Sequence, residues 1–386
     1  MKRRILCLDY ILCNFHNLIA LAKDGHTVFM TTSEENFPTA YYESFGITTV
    51  DSVTSSRDSL LQQFIVSNKI DTVINQNPNR DVHNSLFRDL DYIGISLLSG
   101  HLESRKVWCR KNVGDLGVKL PRLLDNIEIP CVIKPCKTLN KKLGRIRNTV
   151  VLLDERNVKY LDEPYYIEEY LSGCIETNVE FVVSGGKWSI QHCQQALGEE
   201  SSKIAGNLRH WTKTASYAKL SDVNRSLTID NATKILDWVA TLGGSFQGQL
   251  TGLIKNNEWY FCEINSRPAQ CNSLPIFCTG DEYLESMLEG KPNIIGNAFP
   301  WDVHKVIVQP MTPDAIYPFE LHEKYGVSVP CGLDIIDGEY RVSMIWFRDT
   351  APEELMGIAI IDDQIPDDFI KEFENNSNFS VSHCFI

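Results

Sequence analysis

Trp259-Tyr260-Phe261-Cys262-Glu263-Ile264-Asn265-Ser266-Arg267-Pro268 is an apolar run that turns polar at every second position as it ends. Such alternation marks an extended strand, on which residues two apart share a face, so Glu263, Asn265 and Arg267 are expected to project into one cleft. A carboxylate and an amide oxygen are hard ligands of the kind Mg2+ takes while phosphates and water fill its other positions. A guanidinium grips phosphate or carboxylate with two parallel hydrogen bonds. The same pattern also suits an exposed strand with no function. Upstream, Lys255-Asn256-Asn257-Glu258 separates this run from Gln249-Leu250-Thr251-Gly252-Leu253-Ile254, and polar, turn-prone residues between two apolar runs predict a hairpin.

Further upstream, Pro130-Cys131-Val132-Ile133-Lys134-Pro135 is an apolar strand that ends in a lysine. The ammonium either sits at a solvated strand end or faces an anion. Tyr166-Ile167-Glu168-Glu169-Tyr170-Leu171 then leaves a strand into Ser172-Gly173, with Glu176 beyond the turn. A strand edge of this kind offers backbone amides and carbonyls to a heterocyclic base, and a carboxylate past the turn accepts hydrogen bonds from ribose hydroxyls. Before it, Glu103–Gly117 reads as a helical stretch with Lys106 near its start and Val107, Cys109 and Val113 as candidate apolar contacts.

The first hundred residues have a different rhythm. Short apolar runs (Arg4–Asp9, His26–Thr32, Asp71–Gln76) alternate with amphipathic segments, as in a parallel α/β sheet, and Gly25 stands where a helix-ending glycine belongs. No G-x-G-x-x-G follows the first strand, which opposes a dinucleotide-binding oxidoreductase. Between Ile129 and Glu263 strands dominate, with one helix expected over Asp230–Gly244, and strands recur after Lys291-Pro292. The fold class read from this order is α/β and α+β. The expected units are a Rossmann-like lobe over 1–97, a nucleotide-binding domain over 98–292 and a strand-rich segment over 293–386.

With 386 residues, 43% of them apolar, the chain has ample material for more than one lobe. Its net charge of −13 opposes broad nucleic-acid binding, and no apolar run is long enough to cross a bilayer. Twelve scattered cysteines without C-x-x-C pairs or zinc-like spacing read as reduced core residues, so the cytoplasm is the expected compartment.

Taken in order, these segments resemble the ATP-grasp superfamily of carboxylate–amine ligases over roughly residues 95 to 270, and more distantly phosphoribosylamine–glycine ligase. The resemblance implies ATP and Mg2+ as cofactors and a small-molecule carboxylate and amine as substrates. Lys106 and Lys134 correspond to the two phosphate-contacting lysines. Glu168, Glu169, Tyr170 and Leu171 correspond to the adenine hinge and Glu176 to the ribose ligand. Glu263 and Asn265 match the magnesium ligands, and Arg267, with Lys134, is implied in catalysis. Arg209 is a candidate anchor for the substrate carboxylate.

The sequence departs from the family in two places. The loop usually rich in glycine reads Cys136–Asn148 with one glycine and five basic residues, Lys137, Lys141, Lys142, Arg145 and Arg147. The second acidic magnesium ligand expected on the first hairpin strand falls on the uncharged Gln249–Thr251, with Glu180 as a substitute candidate. The resemblance implies ADP-forming ligation through an acyl phosphate. A catalytically impaired nucleotide-binding protein and an ATP-grasp kinase are the alternatives.

Overall fold

The computed structural model describes residues 2–8, 18, 21–31, 43, 46–50, 57–75, 87, 89–136, 139–140, 145–146, 150–152, 164–197, 216–218, 220–267, 305–310, 333–336, 339–342, 344–346 and 379–382. The three N-terminal apolar runs become β1 (Arg4–Leu8), β2 (Thr27–Thr31) and β4 (Thr72–Asn75), and two further strands, β3 (Ile47–Val50) and β5 (Asp91–Ile95), join them. All their pairings are parallel, in the spatial order β3-β2-β1-β4-β5. Strands covered on both faces need apolar side chains on both, so β1 and β4 read as continuous runs and not as alternation. Helix α1 (Asp58–Ser67) sends Leu61 and Ile65, one turn apart, into the core with Phe29, Val50 and Val73. Gly25 has φ +84° and closes the preceding helical turn through bonds from its own N–H to Ala22 and from His26 to Leu21, as expected of a C-cap glycine.

Helices α2 (His101–Ser104) and α3 (Lys106–Asp115) lead to a second, smaller sheet. This sheet is built from β6 (Leu123–Leu124), β7 (Cys131–Pro135), β10 (Val150–Leu152) and β11 (Tyr165–Glu169), in the order β10-β7-β11-β6. Between β7 and β10 the basic stretch holds two short antiparallel strands, β8 (Leu139–Asn140) and β9 (Arg145–Ile146). On α3, Cys109 and Val113 are buried as expected, but Val107 is 47% exposed because it lies on the helix's outer side.

The large antiparallel part comprises β12 (Ile175–Ser184), β13 (Lys187–Leu197), β14 (Ser216–Ala218), β15 (Gly244–Lys255) and β16 (Glu258–Asn265). Helix α4 (Asp222–Ala240) packs on one of its faces. The helix begins at Asp222 and not at Asp230. Ser221 caps it by accepting the Asn224 N–H at 3.3 Å, and Thr228 opens a buried stripe that continues through Ala232, Ile235, Leu236 and Val239. The expected hairpin joins β15 to β16. Asn256 and Asn257, at φ +53° and +60°, form the two-residue turn whose left-handed backbone matches strand twist.

Across this part, Val179, Phe181, Val183, Phe246, Leu250 and Ile264 belong to the core shared with α4. Alternation therefore turns Asn178, Glu180, Gln247, Gln249 and Thr251 to the other face. At the start of β15, Gly244 and Ser245 pair with Ile95 and Gly94 of β5, so one ten-stranded sheet runs from β3 to β14.

Near the C-terminus, β17 (Lys305–Pro310), β20 (Met344–Trp346) and β21 (Phe379–Ser382) form a three-stranded sheet, and β18 (Leu333–Ile336) pairs with β19 (Glu339–Val342). Among the described residues no helix is long and apolar enough to cross a membrane.

Candidate functional site

Trp259 and Phe261 are both buried in the core, so strict alternation would carry Glu263 into the same core. It does not get there, because the register steps from Thr251 opposite Glu263 to Gly252 opposite Phe261 and leaves Cys262 as the extra residue of a β-bulge. The bulge turns Glu263 and Asn265 to the face of Thr251 and Gln249 and sends Ile264 to the core. The two candidate metal ligands thus share a face by alternation, and the bulge decides that this face is the polar one and not the core. Arg267 lies past the strand end, where alternation no longer sets its direction, and its charge still reaches Glu263. Strand β16 ends at Asn265, and in the bend beyond it Arg267 pairs with Glu103 of α2 at 2.9 Å.

Lys106, the first residue of α3, reaches Glu263 at 2.8 Å. The Lys106 charge is the largest influence holding the Glu263 carboxyl at about 2, against burial, with Lys134 and Arg267 adding to it. Glu263 is therefore fully ionised at neutral pH. Glu263 and Asn265 supply two hard oxygens on one strand, a donor set that fits a magnesium ion taking its remaining ligands from phosphate and water. Among the described residues no group of three or more His, Cys, Asp or Glu side chains could form a metal cage by itself.

Lys134 ends β7 but is only 2% exposed, so of its two readings the buried one holds. Its Nζ lies 2.8 Å from Glu168 Oε2 and donates to the Cys262 carbonyl, the bulge residue, at 2.7 Å. Burial works to lower the Lys134 pKa, but Cys262 and the Glu168 carboxylate more than reverse it, and the ammonium is held above its usual value. The other Glu168 oxygen pairs with Arg110 of α3, whose second nitrogen donates to the Pro121 carbonyl. Arg110 and Glu168 are 8% and 2% exposed, so this is a buried row of two cations around one carboxylate with one positive charge left over. An uncompensated buried charge is costly, and a bound anion would relieve it.

The other candidate hinge residues lie in sequence along the strand end. Glu169 accepts the Arg122 N–H at 2.7 Å, Tyr170 accepts from Ser172, and Leu171 is buried. Glu176, at the start of β12, lies on the face of Asn178 and Glu180. Cys109 and Cys262 border the crevice that Lys106, Tyr166 and Glu263 also line. Burial above all pushes both thiols up to about 12, which leaves them unsuited to nucleophilic work.

In the place of the expected second acid, Gln249 sits directly between Asn265 and Glu180 in the strand register and donates to Glu180 at 2.8 Å. Glu180 is fully buried on the polar face, one strand further from Asn265 than an acid at Gln249 would be. Arg209 lies outside the described residues, as do the side chains of Lys137, Lys141, Lys142, Arg145 and Arg147.

Sequence reasoning missed Arg110 and Glu103. Arg110 had a signal, since it lies four residues after Lys106 and between Cys109 and Val113, both of which are buried.

Neither a scan of protein-family models nor a search of curated proteins finds a match. Solved structures do match. An N5-carboxyaminoimidazole synthetase from Staphylococcus aureus, complexed with ADP, is 12% identical with a TM-score of 0.61 over 97% of this chain and 98% of that one. An L-amino acid ligase from Bacillus licheniformis is 13% identical with a TM-score of 0.62 over 99% and 100%. A biotin carboxylase from Campylobacter jejuni, in a β-γ-ATP complex, is 13% identical with a TM-score of 0.60 over 99% and 92%. The chain has the ATP-grasp fold of these enzymes, at a distance that fits a remote resemblance.

Proposed function

We propose that the protein is an ATP-dependent ligase that joins a small carboxylate to an amine through an acyl phosphate and releases ADP and phosphate. The observation that carries this reading is the buried row Arg110–Glu168–Lys134, whose surplus positive charge calls for a polyanion beside a carboxylate–amide pair suited to magnesium. The likeness in fold to three enzymes, two of them in complex with an adenine nucleotide, supports the choice of ATP as that polyanion.

In this reading Lys134 and Lys106 hold the triphosphate oxygens and Arg267 offsets charge on the transferred phosphoryl group. The strand end at Glu169–Leu171 receives adenine and Glu176 the ribose. A magnesium ion held by Glu263 and Asn265 would supply further charge neutralisation at the phosphates. The chain's own work is positioning and preorganised positive charge, as is usual for phosphoryl transfer. Water must be kept from the acyl phosphate, and in this reading the segment that holds the paired strands β8 and β9 would serve as the covering loop. The lobes at 1–97, 98–292 and 293–386 are part of the same proposal, as is Arg209 as the carboxylate anchor.

Phosphorus NMR of the protein with ATP, Mg2+ and panels of L-amino acids and small amines tests the proposal. ADP and phosphate should form in equal amounts only when acid and amine are both present. Stoichiometric AMP would exclude the acyl-phosphate route. Formation of a stable phosphorylated acid without need of amine would instead make the protein a kinase.

A further inference from the structure

Among the described residues three ion-paired groups meet at the site, and two of them are neutral pairs: Lys106 with Glu263 and Arg267 with Glu103. The third group is different. Glu168 has one carboxylate and two cations, with Oε1 taken by Arg110 and Oε2 by Lys134. A guanidinium satisfies a carboxylate through directed N–H donors and does not lose its proton, so Arg110 claims Glu168 permanently. Without Arg110, Lys134 and Glu168 would form a closed neutral pair in a dry setting, and the lysine would have no charge left to offer.

We infer that Arg110 is a positioning residue for nucleotide binding: by holding Glu168, it leaves the charge of Lys134 available to phosphate. This rests on the nucleotide reading above. The inference also revises the part Glu168 plays. With both oxygens engaged by cations, its side chain anchors Lys134, and recognition of the base falls to the backbone that follows. The grip on the Pro121 carbonyl adds orientation, because it gives the guanidinium a second fixed acceptor beside Glu168.

The effect is one of charge and acts through phosphate, which separates it from a packing role. Binding of ATP and of adenosine is measured for the wild type, Arg110→Met and Arg110→Lys, by calorimetry for ATP and by saturation-transfer NMR for adenosine. Circular dichroism confirms folding. Arg110→Met should weaken ATP on the order of tenfold or more, the loss of one charge-assisted contact. Adenosine affinity should stay unchanged, and Arg110→Lys, which keeps the charge, should restore most of the ATP affinity.

Equal loss of ATP and adenosine would show a distorted hinge and overturn the inference, and so would no loss of either. If Arg110→Met does not fold, Arg110→Gln decides, because it loses the charge but keeps an N–H donor for the Pro121 carbonyl. It should show the same loss of ATP affinity, on the order of tenfold, with adenosine affinity unchanged. ATP binding equal to the wild type in the folded variant would sink the idea. Failure of the wild type to bind ATP would instead remove the nucleotide reading itself, and this inference with it.

Discussion

Lys134, bonded to the Cys262 carbonyl, and the neighbouring Glu263 carry opposite charges, and each is already held by a partner of the other sign. On the proposed nucleotide reading Lys134→Ala removes one phosphate contact, and it leaves Arg110 and Glu168 as a balanced pair, so the variant should fold. Its ATP affinity should fall roughly ten- to a hundredfold by calorimetry, the worth of a hydrogen bond to a charged group. Glu263 predicts a pH effect. Its carboxyl is lowered from 4.5 to about 2, chiefly by Lys106, so the folded state favours the ionised form. The stabilisation is complete above about 4.5 and is lost as pH falls towards 2. Thermal unfolding followed across that range should show Lys106→Met losing stability relative to wild type at neutral pH, with the difference closing on acidification. A difference that stayed constant down to pH 2 would contradict the pairing.

At the scale of elements, the site depends on how closely β15 approaches its neighbours. A Cβ on Gly248 would lie 2.6 Å from the Asn265 carbonyl and would also run into the Phe181 ring, so β16 could not keep its place. Gly248→Ala should cost about 1–3 kcal/mol in denaturant titration, as overpacking does. It should also weaken Mg2+-dependent ATP binding, because the Asn265 backbone is one of the groups displaced. The bulge at Cys262 acts in the same way, supplying Lys134 with a carbonyl and setting the direction of Glu263 with one extra residue. Nothing in Trp259–Asn265 announces it, because the apolar and polar letters fit a regular strand equally well. The hairpin turn was legible, since two consecutive asparagines are among the few residues that accept a left-handed backbone.

In the whole molecule, the parallel and antiparallel parts form one sheet through a narrow join. Gly244, at φ +95°, lies so close to β5 that a Cβ would sit 2.8 Å from the Ser96 nitrogen and 2.9 Å from the Gly94 carbonyl, and Ser96 donates to the Leu242 carbonyl at 2.7 Å. Gly244→Val should break this join without touching either core. Calorimetry should then show the variant's unfolding broadened or split into two transitions relative to wild type, as cooperative units are uncoupled. An unchanged single transition would mean that other contacts hold the parts together.

The sequence by itself determined the local and periodic features. It marked three of the five parallel strands, β1, β2 and β4, from their continuous apolar runs, the hairpin at Asn256-Asn257, and the order of Lys106, Lys134, Glu168, Glu263 and Asn265 that resembles an ATP-grasp enzyme. These follow from side-chain chemistry over a few residues, which neighbours along the chain already fix. The tertiary structure decided what those residues do to one another. Arg110 and Glu168 stand 58 residues apart and Lys106 and Glu263 stand 157 apart. Whether such charges cancel or leave a surplus depends on distances that only packing sets. Coulomb interactions weaken with separation and strengthen with burial, and neither quantity is written in the order of the residues.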